Sequence, residues 1–144
     1  MIVLDASVLI AHLWPSDRHH LEASAFLRRV AGDRMLTDPL TMAEVLVGGL
    51  RIGRGAEMRR DLTDIGIELA DRDADEPLRL AEVRVSTRLK LWLKLPDCCV
   101  LDVAMVDLAK APATKSVTLA TFDRELAGAA IDRGVLVGPE SPGN

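Results

Sequence analysis

Four carboxylates stand at positions where a charge is awkward unless it has a partner. Asp5 lies in Ile2-Val3-Leu4-Asp5-Ala6-Ser7-Val8-Leu9-Ile10, crowded on both sides by apolar residues. An ionised group in such a setting is costly unless it is paired or hydrogen-bonded. Glu44 has Leu40, Thr41, Val47 and Gly48 three and four positions away, so on a helix it projects from a largely apolar face. No Lys or Arg occupies that helix before Arg51. Asp97 follows Pro96 and precedes the apolar run Cys98-Cys99-Val100-Leu101, and Asp123 closes the run Ser116–Phe122. Each acid also has a plainer use. Asp5, Asp97 and Asp123 suit helix N-caps, with Ser7 able to cap in place of Asp5, and an edge glutamate can reach water along its own stem.

Together the four suggest chemistry. Carboxylates gathered at one sheet edge repel, and oxygen-ligand cations such as Mg²⁺ or Mn²⁺ relieve that repulsion. Ions of this kind act on phosphodiesters by activating a water and neutralising the leaving oxygen. Zinc is disfavoured, because the two cysteines are adjacent and no Cys/His spacing accompanies them. Cys98 and Cys99 read instead as small buried hydrophobes in a reducing compartment. Asp102 and Asp107 follow Asp97 on the same stretch. At about 100° per residue, Asp102 lies about 140° around a helix from Asp97, so the two cannot face one ion. Asp97, at the helix start, is the better candidate; Asp102 would then sit behind it or pair with a basic side chain.

The elements that must position these acids alternate between strand and helix, the pattern of a parallel sheet with helices on both faces. Ile2–Leu4 reads as a buried strand, and Asp17 as the cap of a helix to about Val30 that Gly32-Asp33 ends. Met35–Thr37 is a second strand. Asp38-Pro39 is the clearest helix start, an N-cap followed by proline at the first helical position, and that helix runs to about Leu50. A helix over 56–65, a strand over 67–69 and a helix from Glu76-Pro77 towards Lys90 follow. The run 89–95 alternates like a strand. A helix from Pro96-Asp97 to about Ala109, a strand over 116–120, a helix over 123–131 and a strand over 135–137 complete the domain. The expectation is one α/β domain over 1–137, a mainly parallel sheet of about five strands, and a flexible tail over 138–144.

At 144 residues the chain is one domain by length and needs no disulfide to fold. A net charge of −4 argues mildly against nucleic acid as a partner. The charge is segregated, however. Residues 61–76 carry seven acids against one Arg, whereas 84–94 carry Arg84, Arg88, Lys90 and Lys94 with no acid, and Arg51, Arg54, Arg59 and Arg60 form a second basic stretch. Solvated helix faces account for such patterns, and a basic track beside an acidic metal site would use the same residues. With few aromatics there is little material for base stacking. His12, His19 and His20 read as exposed or capping residues rather than RNA contacts, and Trp14 and Trp92 as core, rim or partner surface. No basic segment leads into a long apolar run, so a cytoplasmic protein without a membrane span is expected.

At the pieces Ile2–Ile10, Ala43–Gly48 (A-E-V-L-V-G), Leu95–Val100 (L-P-D-C-C-V) and Thr118–Asp123 (T-L-A-T-F-D), the sequence resembles the PIN-domain family, and within it the VapC toxins of bacterial toxin–antitoxin pairs. The pieces occur in the family's order and span nearly the whole chain. Asp5, Glu44, Asp97 and Asp123 fall on the family's four acidic positions, and Ser7 and Thr121 on its flanking hydroxyls. Ala6 departs from the pattern, since a Thr is common there. The resemblance implies a Mg²⁺- or Mn²⁺-dependent endoribonuclease cutting single-stranded or looped RNA, a VapB-like antitoxin as inhibitor, and commonly a homodimer. Asp5 and Asp97 are then the expected primary metal ligands, with Glu44 and Asp123 orienting the attacking water or holding a second ion. The alternatives are a PIN-like module that binds RNA or protein without cutting, and a structural helper whose acids are only caps. A phospho-receiver is disfavoured because Lys115 precedes its strand, and a haloacid-dehalogenase-type phosphatase because Ser7 stands where a second Asp is needed.

Overall fold

Val3 and its neighbours Ile2 and Leu4 set the layering of the molecule. Successive residues of a strand face opposite sides of the sheet. Ile2 and Leu4 belong to one buried cluster with Val8, Leu9, Phe26, Met42 and Leu62, and Val3 belongs to another with Leu101, Leu119 and Leu126. A strand apolar on both faces is what a parallel sheet with two helical layers requires. The computed structural model describes residues 1–86 and 93–139.

The elements run β1 (Ile2–Leu4), α1 (Ala6–Leu13), α2 (His20–Arg29), β2 (Met35–Thr37), α3 (Pro39–Arg51), α4 (Gly55–Asp64), β3 (Ile67–Leu69), α5 (Glu76–Ser86), α6 (Leu95–Lys110), β4 (Thr118–Ala120), α7 (Arg124–Ile131) and β5 (Leu136–Gly138). The five strands form one sheet in the order β3-β2-β1-β4-β5, and every pairing is parallel. The expected α/β class, strand number and two helical layers are therefore present. β1 is central, pairing with β2 on one side and β4 on the other. The chain first steps outward through β2 and β3, then crosses back over β1 to begin β4. The gap between β1 and β4 is thus the point where strand order reverses, and ligands of open α/β sheets bind beyond the carboxyl ends of the strands at such a point.

Several expected elements shift. α1 entered the sequence reading only through the capping alternative for Asp5 and was given no bounds, because Ala6–Leu13 is apolar nearly all round and has no polar face to reveal its period. Burial of Ala6, Val8, Leu9 and Ala11 explains why it forms. Asp17 does not cap α2. Its carboxylate accepts the backbone N–H of His19 at 2.8 Å, and the helix starts at His20. β4 begins at Thr118, two residues later than expected, and β5 continues to Gly138, one residue beyond the expected strand. α3 forms as read, with the Asp38 carboxylate accepting the N–H of Leu40 at 2.7 Å and Pro39 in the first turn. The strand-like alternation noted from Leu89, together with Arg88, Lys90 and Trp92, falls largely outside the described residues. Most of the expected tail over 138–144 lies outside them as well.

Candidate metal centre

Asp5 immediately follows β1 and closes the first turn of α1. The cap reading of this residue holds, since its carboxylate accepts the Ser7 N–H. Its Oδ2 accepts the Ser7 N–H at 3.3 Å and the Ser7 hydroxyl at 2.6 Å, and the Thr121 hydroxyl donates to the same oxygen at 2.8 Å. Asp5 is only 7% exposed. Three donors on one oxygen hold the carboxylate in a fixed orientation, and no described donor engages Oδ1. Ser7 and Thr121 are in turn tied to the loop after β4: the Phe122 N–H donates to the Ser7 hydroxyl at 3.0 Å, and the Asp123 N–H to that of Thr121 at 2.9 Å. The two hydroxyls thus clamp the ends of β1 and β4 together across the switch crevice.

Asp123 caps α7 through Oδ1, which accepts the N–H groups of Glu125 at 2.8 Å and Leu126 at 3.0 Å. Oδ2 makes no described hydrogen bond. Asp97 lies in the first turn of α6, three residues after the N-cap Lys94, whose backbone N–H its carboxyl accepts. Burial pushes the Asp97 carboxyl up to about 6, and the charges of Asp5 and then Asp123 push in the same direction. Three of the four predicted acids are therefore within electrostatic reach of one another, and their mutual repulsion is the condition a divalent cation relieves. The donor set of oxygens, with one oriented carboxylate and one destabilised anion, fits a hard cation.

Glu44 behaves differently. Leu40 and Val47, which made its face look apolar and buried, are 42% and 45% exposed, and Glu44 is exposed with them. The argument that burial demands a partner for Glu44 therefore fails, because that face of α3 turns outward. Glu44 is not among the charges acting on Asp97.

A second acidic group was not anticipated. Ligand atoms of Asp38, Glu76 and Cys99 lie within 4.8 Å of one another, all buried. A cation already serves this group. Arg72 donates to Asp38 at 3.0 and 3.2 Å and approaches Glu76 at 3.2 Å. Arg72 is the single Arg in the acidic stretch 61–76, which was the available signal. Asp102, buried at 6% exposure, receives Arg79 through both carboxylate oxygens at 2.8 and 2.9 Å. It is a partner of α5 and not of Asp97, as the helical angle required.

His12 and His20 are structural rather than exposed. His12 shares a hydrogen bond with Ser24 at 2.9 Å, and burial lowers its pKa, helped by His20 and Arg28. His20 Nδ1 donates to the Ala11 carbonyl at 2.9 Å. Trp14, half-buried, lies against α3, where a Cβ on Gly48 would come within 3.4 Å of its ring.

The PIN domain family model matches residues 2–132. The chain belongs to the PIN domain family. No curated protein sequence matches it. Among solved structures, this PIN domain is similar to a Mycobacterium tuberculosis toxin, VapC20, described as cleaving the sarcin–ricin loop. The two share 15% sequence identity, with a TM-score of 0.66 over 90% of this chain and 95% of that one. At that identity the likeness concerns the fold, which the toxin shares over nearly its whole length. Among the described residues, no helix is long and apolar enough to cross a membrane.

The repulsion at Asp97 predicts a pH-dependent instability of the metal-free protein. A carboxyl raised from 3.8 to about 6 favours folding in its protonated form. Its contribution is complete below the ordinary carboxylate range and is lost as pH rises through about 6. Melting of the metal-free wild type should fall relative to Asp97→Asn between about pH 4.5 and pH 7.5. Saturating Mg²⁺ or Mn²⁺ should raise the wild-type melting temperature by several degrees, since ligand at 100 times Kd contributes about 2.7 kcal/mol. An Asp5→Asn, Asp97→Asn double variant should lose most of that response. Equal metal-induced shifts in the two proteins would remove the metal centre from these residues.

Proposed function

We propose that this PIN domain is a metal-dependent endoribonuclease and the toxin of a toxin–antitoxin pair. The observation that carries the reading is the convergence of Asp5, Asp97 and Asp123 on the crevice between β1 and β4, with Asp97 held above the usual carboxylate range. Asp5 and Asp97 would hold Mg²⁺ or Mn²⁺, and the ion, when bound, supplies an activated water and neutralises the leaving oxygen. Ser7 and Thr121 keep Asp5 from rotating by engaging its Oδ2, which leaves Oδ1 for the cation. Asp123 and Glu44 would orient the attacking water or hold a second ion. Asp123 can do so with Oδ2 while Oδ1 remains the cap of α7.

The reading extends to partners. The similar VapC20 structure is that of a toxin, and a VapB-like antitoxin is the matching inhibitor. Its docking surface would be α3 and α4, where Leu40, Val47 and Leu50 of α3 and Ile52 just after it are all exposed, with half-buried Trp14 alongside at Gly48. A homodimer, a cytoplasmic location and a folded unit over 1–137 complete the proposal.

The test is cleavage of single-stranded and looped RNA with Mg²⁺ or Mn²⁺ against a chelator control, together with growth of a bacterial host expressing the chain alone. Wild type should cut and slow growth, and Asp5→Ala should do neither. Equal toxicity of the two proteins would show that the acids are not the cause. Metal-independent RNA binding without cutting would favour the non-catalytic module.

A further inference from the structure

Beside the acids, the loop between α1 and α2 forms the wall of an open cleft of about 340 Å³, lined by Ser7, Ile10, Asp17, Arg18, His19, Phe122 and Asp123. Ser7 and Asp123 belong to the acid cluster, so cleft and metal centre are continuous. The His19 ring lies on the Phe122 ring with centroids 4.1 Å apart and planes 11° from parallel. His19 is held in its own plane from both sides. Arg18 Nε donates to its Nε2 at 3.0 Å, and its Nδ1 faces Glu22 at 3.4 Å. Those contacts lie at the ring's edge, the His19 side chain is 31% exposed, and among the described residues Phe122 is the only ring stacked on His19. The Asp17 carboxylate fixes the loop from below through the His19 N–H at 2.8 Å. Phe122 is fixed by the same Ser7 hydroxyl that orients Asp5.

Among the described residues, Arg18 is the only Lys or Arg lining the cleft. Its side chain is exposed, and beyond the Nε bond its terminal nitrogens have no described carboxylate partner. A planar cation with free donors beside a stacked aromatic pair matches a nucleotide: the guanidinium forks onto a phosphate, and an unstacked base lies on the ring face. A duplex could not offer such a base, since its bases are already stacked.

We infer that Arg18, His19 and Phe122 form a subsite for one nucleotide of single-stranded RNA next to the scissile phosphate, with Arg18 on its phosphate and the His19–Phe122 pair under its base. This rests on the ribonuclease reading and assigns positioning roles, not catalytic ones, to the three residues.

The experiment measures cleavage kinetics of a single-stranded RNA oligonucleotide in Mn²⁺, and its equilibrium binding over a salt series in an Asp97→Asn background. Arg18→Ala should raise KM and Kd about tenfold with kcat within about twofold, and should lower the salt slope by about 0.7, one phosphate contact on a single strand. Arg18→Lys should recover the slope. His19→Ala should weaken binding severalfold without changing the slope, and that difference should vanish on an oligonucleotide with an abasic residue at the cut site. Lys115→Ala, exposed and preceding the amino end of β4, whose carboxyl end leads to Thr121–Asp123, is the control for a general loss of positive charge. If Arg18→Ala and Lys115→Ala behave alike while wild type still cuts RNA, the subsite is overturned and the ribonuclease reading stands. If wild type neither binds nor cuts the oligonucleotide, both fall.

Discussion

Asp97→Asn should lose at least ~10²-fold in RNA cleavage at saturating Mn²⁺, the scale on which a positioned catalytic group contributes, while the protein remains folded. The two halves of this expectation have one cause. Asp97 is held as an anion against burial and against the charges of Asp5 and Asp123. Removing the charge therefore relieves the empty fold and, under the proposed metal-ligand role, deprives the cation of a ligand. The metal-free variant should melt at or above the wild type near neutral pH. This opposition of activity and stability marks a metal ligand, whereas replacing a capping acid by Ala costs about 0.5–2 kcal/mol of stability. Asp123→Ala supplies the contrast within the same protein. Its Oδ1 accepts two N–H groups of α7, so any relief of charge there is offset by a weakened cap. A parallel loss of activity and stability in Asp97→Asn would return Asp97 to a purely structural role.

What could be read from sequence depended on whether the deciding physics was local. α3 was legible because an N-cap acid and a first-turn proline act within three residues, and the Asp38–Leu40 bond is in place. The short strands were legible as apolar runs bounded by turns. α1 was not, since an element buried on all sides shows no period of its own. The order of the strands was equally hidden, because it depends on which apolar faces meet across the sheet.

The site divides along the same line. Asp5, Asp97 and Asp123 follow strand ends or begin helices, and chain geometry alone directs such positions to one edge. The burial argument for Glu44 failed because it rested on apolar neighbours, and apolar neighbours reveal a face without revealing what covers it. Leu40 and Val47 are themselves exposed. The pairing of Arg72 with Asp38 and the stacking of His19 on Phe122 join segments far apart in the chain. No local spacing announces either. The low aromatic content suggested little scope for stacking, yet a single histidine–phenylalanine pair stands beside the acids.

Arg79→Met should destabilise the fold by about 3–5 kcal/mol, the cost of leaving a buried charge without its partner. Asp102 is the reason. Its side chain is 8% exposed, against 30% for Arg79, and its neighbours one helical turn away are Cys98, Cys99, Met105 and Val106. With the guanidinium gone, the carboxylate keeps no described hydrogen bond, and the surrounding thiols and apolar groups cannot replace it. Asp102→Asn should cost less. The isosteric amide can still accept from Arg79, and Arg79 retains Asp73 at 2.8 Å. Replacing both partners in an Arg79→Met, Asp102→Leu double variant should recover most of the loss, because apolar groups of similar volume no longer bury a charge. Denaturant unfolding of the wild type, Arg79→Met, Asp102→Leu and the double variant measures this cycle directly. The pair joins α5 to α6, the helix that carries Asp97, and activity supplies the second readout. At a temperature where all variants are folded, cleavage by Asp102→Asn should stay within a few fold of wild type, because Asp102 acts through packing and holds no ion. A loss of cleavage in Asp102→Asn matching that of Asp97→Asn, with unfolding unchanged, would make Asp102 the metal ligand and leave Arg79 as its counter-ion.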